Sequence, residues 1–278
     1  MTLRVKSLAS GSSGNSLLVT CTDSDYNLAL LIDAGLSLRS LVKYLRAEGV
    51  EPGDLSGIVL THEHHDHSQS AHALSRRFDV PIIANHKTLN RIYSGKEETL
   101  HAPLPIGERW TEGPLTVETF HVRHNAVEPV GINLYCNIGR HLGHKVSYMT
   151  DLGSIDQTVQ QATAGADLIV IEANHDVYRL NAGPYPAGLK SRILSDSGHL
   201  SNETAVDFMA EHLINKGPCT FWLAHLSKVN NLPKLATNYA RATLKLRTSC
   251  PFTLDVALRD KPSAAWSPGK TALQLGLF

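Results

Sequence analysis

Short apolar runs alternate with amphipathic stretches along most of the chain. RVKSLA (4–9), SLLVTC (16–21) and LALLIDAG (28–35) read as three early strands separated by turns. In SLRSLVKYLRAEG (37–49) the period changes. Leu38, Leu41, Val42 and Leu45 share one helix face, Ser37 is a candidate N-cap and Gly49 a C-terminal stop. GIVLT (57–61) predicts a strand, followed by a polar loop, a helix through HALSRRF (72–78) and a strand PIIA (81–84). LTVETFHV (115–122), INLYCNI (132–138) and KVSYMTD (145–151) continue as strands. DLIVIEA (167–173) is nearly continuous in apolar residues, the pattern of a strand buried on both faces. SNETAVDFMAEHLINKG (201–217) predicts a helix, CTFWLAHL (219–226) a strand and LPKLATNYARATLKLR (232–247) a last long helix. PFTLDVAL (251–258) closes the pattern before a tail containing Pro, Ser and Gly. Runs of strands interrupted by helices predict a layered α/β structure in one domain.

Composition narrows the function without naming it. The 278 residues suffice for a substantial core, and 42% apolar with 19% charged residues is ordinary for a globular protein. Basic and acidic residues balance at 26 each, so nucleic-acid contact has to rely on a local patch. The four cysteines are scattered without a C-x-x-C pair, which fits a reducing compartment. The N-terminus lacks a signal-type apolar core and no run approaches a membrane span, so a cytoplasmic protein is expected.

The loop after GIVLT concentrates the chemistry. Residues 61–67 are THEHHDH. In an extended segment alternate side chains share a face, so His62, His64 and Asp66 are expected to converge, with His67 joining as the chain turns into a helix. Imidazoles and a carboxylate crowded together repel one another if charged and desolvate badly if neutral. A divalent metal resolves that conflict, and zinc, manganese and iron all suit such donors. The bland alternative is a histidine-rich surface loop, against which the H-x-H-x-D-H spacing argues. Further candidates stand just past the ends of apolar strands: His124, Asp151 and His225. Each alone could be a polar strand end; together with the loop they close a dinuclear site.

THEHHDH, the upstream LIDAG, His124, TDLG at Asp151 and AHLS at His225 resemble the five ordered motifs of the metallo-β-lactamase fold. SLASGSSGNSLLV, NAVEPVGI, IEANHD, GPYPAGLKSRI, GHLSN and HLSKVNN further resemble the YycJ/WalJ-type exonuclease branch, over most of residues 3–235. One departure is Asn125, where that branch has Asp after the histidine. The resemblance implies an αββα four-layer sandwich, two mixed sheets flanked by helices, as one domain over 1–278. The stretch from Asp151 to His225 is too short for a β-CASP insertion.

The resemblance also implies roles. One metal is held by His62, His64 and His124, the other by Asp66, His67 and His225, with Asp151 bridging. Asp33 orients the loop histidines. Two metals lower the pKa of a bridging water, which Asp66 holds or deprotonates. Glu172 and His199 resemble the glutamate and histidine with which RNase Z-like members contact the scissile phosphate, His199 donating the proton and Glu172 orienting it. Weaker substrate contacts are expected from Ser12, Asn15, His175, Lys190 and Asn202, with Lys190 and Arg192 part of a basic patch.

The leading reading is a dinuclear phosphodiesterase carrying zinc, manganese or iron, most readily a 5′-to-3′ exonuclease with DNA preferred over RNA. It has no membrane partner, and a homo-oligomer is left open. The competing readings are a small-molecule hydrolase acting on a cyclic phosphodiester or a thioester, and a regulatory protein with a vestigial site, which the complete ligand set opposes.

Overall fold

A computed structural model describes residues 2–22, 24–138 and 141–269. Fourteen strands are assigned among them. β1 is Thr2–Ala9, β2 Ser16–Thr22, β3 Asn27–Ile32, β4 Gly57–Val59, β5 Ile82–Ala84, β6 His101–Pro103 and β7 Arg109–Glu112. β8 is Leu115–His121, β9 Val130–Ile138, β10 His141–Met149, β11 Leu168–Glu172, β12 Cys219–Ala224, β13 Phe252–Val256 and β14 Ala265–Trp266. The helices are α1 Leu38–Ala47, α2 His65–Ser68, α3 Ala71–Phe78, α4 His86–Tyr93, α5 Gln157–Ala162, α6 Val177–Ala182, α7 Ala187–Ile193, α8 Asn202–Lys216 and α9 Pro233–Arg247.

The strands form two seven-stranded sheets, ordered β14-β1-β2-β3-β4-β5-β6 and β13-β12-β11-β10-β9-β8-β7. Each is antiparallel at one side and parallel at the other, since β3 to β6 pair in parallel, as do β10 to β13. Between the sheets lies a core of Val5, Val19 and Ile32 against Leu134, Val146, Val170 and Trp222. Leu41 and Leu45 of α1, Leu74 of α3 and Ile92 of α4 cover the outer face of the first sheet. Val206 and Met209 of α8 with Ala240 and Leu244 of α9 cover the second. The result is the four-layer αββα sandwich.

β11 shows why this order follows from sequence. Leu168 and Val170 enter the core between the sheets, whereas Ile169 and Ile171 face the helices, so every position is apolar until Glu172. α1 begins where Ser37 accepts the Ser40 N–H through its side chain and stops before Gly49, at φ 79°. The tail departs from expectation, because Ala265–Trp266 pairs with β1 as an edge strand. Residues 270–278 lie outside the described residues. The short strands β6, β7 and β14 and the helices α4 to α7 were not foreseen, since two to eight residues carry too little period to read.

Parallel pairing gathers the ends of β4, β10, β11 and β12 at one pole. There, Gly35 after β3 lies against the histidine loop: the Asn15 N–H donates to the Asp66 carbonyl at 2.7 Å, and the Gly35 N–H to the Asn15 carbonyl at 2.9 Å. A Cβ on Gly35 would collide with the backbone carbonyl of Asp66. Gly35→Ala therefore has to push the whole loop away, and about 2–4 kcal/mol of destabilisation is expected. A thermal melt of the purified variant checks this; an unchanged melting temperature would refute the close approach.

Candidate metal centre

The loop between β4 and α3 does not stay extended. His64 serves as the N-cap residue of the one-turn helix α2, which carries Asp66 and His67. The expected convergence of His62, His64 and Asp66 on one extended face is thereby corrected. The helical turn separates Asp66 from His62 and His64, and the donors fall into two clusters grouped as the resemblance implies. Ligand atoms of His62, His64 and His124 lie within 4.8 Å of one another; so do those of Asp66, His67, Asp151 and His225. Asp151 stands between them, with Oδ2 2.8 Å from His67 Nε2 and Oδ1 3.7 Å from His124 Nε2.

Hydrogen bonds behind the clusters set the imidazole tautomers. Asp33 Oδ2 takes His67 Nδ1–H at 2.7 Å, while Oδ1 accepts the Thr61 N–H at 2.9 Å and its hydroxyl at 3.0 Å. With that hydroxyl spent on Asp33, Thr61 Oγ1 accepts from His62 Nδ1 at 3.0 Å. His124 Nδ1 donates to the Gly198 carbonyl at 3.1 Å and His225 Nδ1 to Glu172 Oε1 at 2.7 Å. In their neutral forms all four rings thus turn an Nε2 lone pair inward. His62 Nε2 faces His64 Nδ1 at 3.0 Å, and His225 Nε2 is buried without a hydrogen-bond partner. Lone pairs gathered like this are satisfied by cations, so the donor set fits two divalent ions. Tyr148, whose hydroxyl donates to Asp33 Oδ2 at 3.3 Å, completes the support.

Backbone strain concentrates here as well. Asp33, Asp151 and His225 hold left-handed φ values of 59°, 57° and 52°, uncommon for side chains other than glycine. Each sits at a strand end, where the turn directs its side chain across the pole.

Beside the second cluster, Glu172 ends β11 fully buried. Its Oε1 accepts from His199 Nδ1 at 2.8 Å as well as from His225, and its Oε2 from the backbone N–H of Leu152 at 3.1 Å and Leu200 at 3.3 Å. The contact with His199 was expected; that with His225 was not. No spacing links residues 172 and 225, which meet because β11 and β12 are neighbours. Both flanking faces remain open only slightly: the side chains of Asp66 and His199 are each 24% exposed.

Among the weaker expected contacts, three are buried. Asn15 is buried, its amide oxygen accepting the Gly11 N–H at 2.8 Å and its amide nitrogen 2.9 Å from His67 Nε2. Asn202 is buried against Asn231, whose amide donates to it at 2.8 Å. His175 is buried beside a bridge to Ser201. Ser12 is exposed on its loop, and Lys190 donates to the Asn181 carbonyl at 2.7 Å. Asn125 is exposed, so the departure from the branch pattern faces solvent. A cavity of about 500 Å³, lined by Trp222, Trp266 and Phe252, lies away from the two donor clusters.

Comparison with known proteins decides the family. The Beta-lactamase superfamily domain matches residues 29–215. The chain is 37% identical over 244 residues to Exodeoxyribonuclease YycJ of Bacillus anthracis, covering 85% of this chain and 87% of that protein. It is 38% identical over 236 residues to Exodeoxyribonuclease WalJ of Streptococcus pneumoniae serotype 2 (strain D39 / NCTC 7466), covering 82% and 83%. The chain belongs to the beta-lactamase superfamily. As a member, it is a metal-dependent hydrolase. The metallo-beta-lactamase fold protein YhfI of Bacillus subtilis superposes with a TM-score of 0.66 at 20% identity, over 96% of this chain and all of that one, and supports the fold. Among the described residues no helix is long and apolar enough to cross a membrane.

Protonation separates the two clusters. Burial, then the neighbouring His67, keeps His62 well below the usual histidine range, so it is neutral at pH 7. Burial also lowers His67 and His225, but Asp151 with Asp33 lifts His67 well above that range. Asp151, Asp66 and Glu172 raise His225 to about 10. Metal-free, the second cluster is therefore protonated at pH 7 and must release protons to bind an ion. Because these pKa values are raised, the ion pairs stabilise the apo-fold fully below about pH 6.5, the usual histidine value. That stability is lost as pH rises through about 10 for His225. Calorimetric titration in buffers of different ionisation enthalpy is expected to show one metal bound with proton release and weakened sharply from pH 8 to pH 6. The other is expected to be less sensitive; two equal pH dependences would refute the assignment.

Proposed function

We propose that the chain is a cytoplasmic, dinuclear metal-dependent exodeoxyribonuclease that degrades DNA from the 5′ end. The observation that carries the reading is the junction of two donor clusters at Asp151, with the Glu172–His199 pair beside them. The names of the relatives at 37% and 38% identity support DNA as substrate. His62, His64 and His124 would hold one ion; Asp66, His67 and His225 the other; Asp151 both. Bound there, zinc, manganese or iron would supply a water of lowered pKa and neutralise phosphate charge.

The remaining chemistry belongs to side chains. Asp66, partly exposed between the clusters, holds the attacking water and accepts its proton. His199, with Nδ1 engaged by Glu172, offers Nε2–H to the departing sugar oxygen. Burial lowers His199, but the Glu172 carboxylate outweighs it and raises the imidazole above its usual range, so the acid form is available at neutral pH. Asp33 and Thr61 keep the ligands in register and do not touch the substrate.

Digestion of linear duplex DNA labelled at either end, with manganese and an Asp66→Ala control, tests the reading. Stepwise release from the 5′ end, absent in the control, is expected. A metal-replete protein that leaves DNA intact but hydrolyses a small phosphodiester would replace the exonuclease by the small-molecule hydrolase.

A further inference from the structure

The pole that carries the clusters also displays Tyr178, 80% exposed in the first turn of α6. This is the most exposed aromatic ring among the described residues, and packing gives no reason for it. Its footing is fixed on four sides. Asp176 caps the helix through Oδ1, accepting the Arg179 N–H at 2.8 Å, and its own N–H donates to the Asn230 carbonyl at 3.0 Å. The Arg179 guanidinium donates to the Val229 carbonyl at 3.4 Å, and Lys190 to the Asn181 carbonyl at 2.7 Å. Tyr178 is therefore a ring held out on a braced helix, and no loose loop carries it.

Cations lie on its own helix and on the segments bonded to it. Arg179, Lys190 and Arg192 lie on α6 and α7, and Lys228 and Lys234 lie on the segment after His225. Among the described residues none of the five forms an ion pair, unlike Arg4, Lys87 and Arg109 elsewhere on the surface. The carboxylates in the same stretches are Asp176, committed to its cap, and the exposed Asp196. In a chain of zero formal charge this is a local excess of positive charge. Meanwhile the donor clusters are recessed, with His67 and His225 buried and Asp66 and His199 only 24% exposed. A strand end that parts from its partner can follow the cleft to those donors without the bulk of the second strand.

We propose that this rim is a single-strand guide, in which an unpaired base stacks on Tyr178 while the cations follow the strand's phosphates into the cleft. It rests on the nuclease reading and adds to it the form of the substrate. Base–aromatic stacking tolerates any base, so the guide holds a parted strand end without sequence selection, and its cationic part weakens with salt.

Fluorescence anisotropy with a labelled twelve-nucleotide single strand, and with the same sequence as a blunt duplex, tests the guide in metal-depleted full-length protein. Tyr178→Ala is expected to weaken single-strand binding about tenfold, the effect of losing one base–aromatic stack, and to leave duplex binding within twofold. Tyr178→Trp is expected to retain wild-type binding. Melting temperatures within a degree or two of wild type confirm that a surface position was changed. Equal single-strand affinity for wild type and Tyr178→Ala overturns the guide, as does equal loss on single strand and duplex. Should the wild type degrade labelled DNA while Tyr178→Ala binds unchanged, only the guide fails. Should the wild type bind neither probe and hydrolyse only a small phosphodiester, the nuclease reading fails with it.

Discussion

Asp151→Asn is expected to lower phosphodiesterase activity by on the order of 10³-fold while leaving the chain folded. The carboxylate reaches both clusters: His67 Nε2 at 2.8 Å from Oδ2, with His124 Nε2 at 3.7 Å and His225 Nδ1 at 3.6 Å from Oδ1. An amide at this place keeps one acceptor oxygen and puts an N–H₂ where the second ion is to be shared. The charge that would offset two divalent cations falls by one. Backbone strain is not the cause of the loss, because Asn tolerates the left-handed φ of 57° as readily as Asp. Elemental analysis after purification is expected to fall from two metals per chain to one or fewer, with a circular dichroism spectrum like wild type. An Asp151→Asn protein that retains two metals and more than a tenth of the activity would rule out the bridging role.

How much of this was legible beforehand depends on whether the information is local. THEHHDH announces metal chemistry because its donors are adjacent in sequence, and His124, Asp151 and His225 join it because each stands just past the end of an apolar strand. The division into two clusters came from the family resemblance and not from the local pattern, which reads the loop as extended and misses the single turn of helix at His65–Ser68. Thr61 was quoted as part of the motif without a role. Its hydroxyl matters only because Asp33 arrives from β3 on the other side. Tyr148 looked like one more strand residue, and its contact with Asp33 needs β10 and β3 to face each other across the sandwich. Asn15 and Asn202 were expected to face substrate. Their burial follows from contacts distant in sequence, Asn15 with Asp66 and Asn202 with Asn231, which neither hydrophobic period nor motif spacing encodes. β11 was legible for the opposite reason: a strand apolar on both faces states its own burial.

Glu172→Gln is expected to cost both metal affinity and stability, since one carboxylate serves four donors. Oε1 receives His199 and His225; Oε2 receives the N–H groups of Leu152 and Leu200. A glutamine has one acceptor oxygen, so in either amide orientation two of these donors meet an N–H₂. If the oxygen faces the backbone, both imidazoles must turn Nδ1 into an acceptor and move their proton to Nε2. His225 then loses the lone pair aimed at the second cluster. If the oxygen faces the imidazoles, two buried backbone N–H groups go unsatisfied, at about 1–3 kcal/mol each. The first outcome weakens metal binding at the second cluster by about 10–100-fold, the usual cost of losing an outer partner of a metal-binding histidine. The second lowers the melting temperature of the metal-free protein. The wild-type carboxylate is ionised throughout the working range: burial raises its pKa, but His199 and His225 outweigh burial and bring it to about 2. A depressed pKa means that the stability it contributes is complete above about pH 4.5, the usual carboxylate value, and is lost as pH falls towards 2. His199→Ala provides the contrast, since it should reduce turnover while both metals stay bound. Metal titration of the two variants side by side separates the roles. A Glu172→Gln protein that binds two metals as tightly as wild type and melts at the same temperature would show that the His225 contact is incidental.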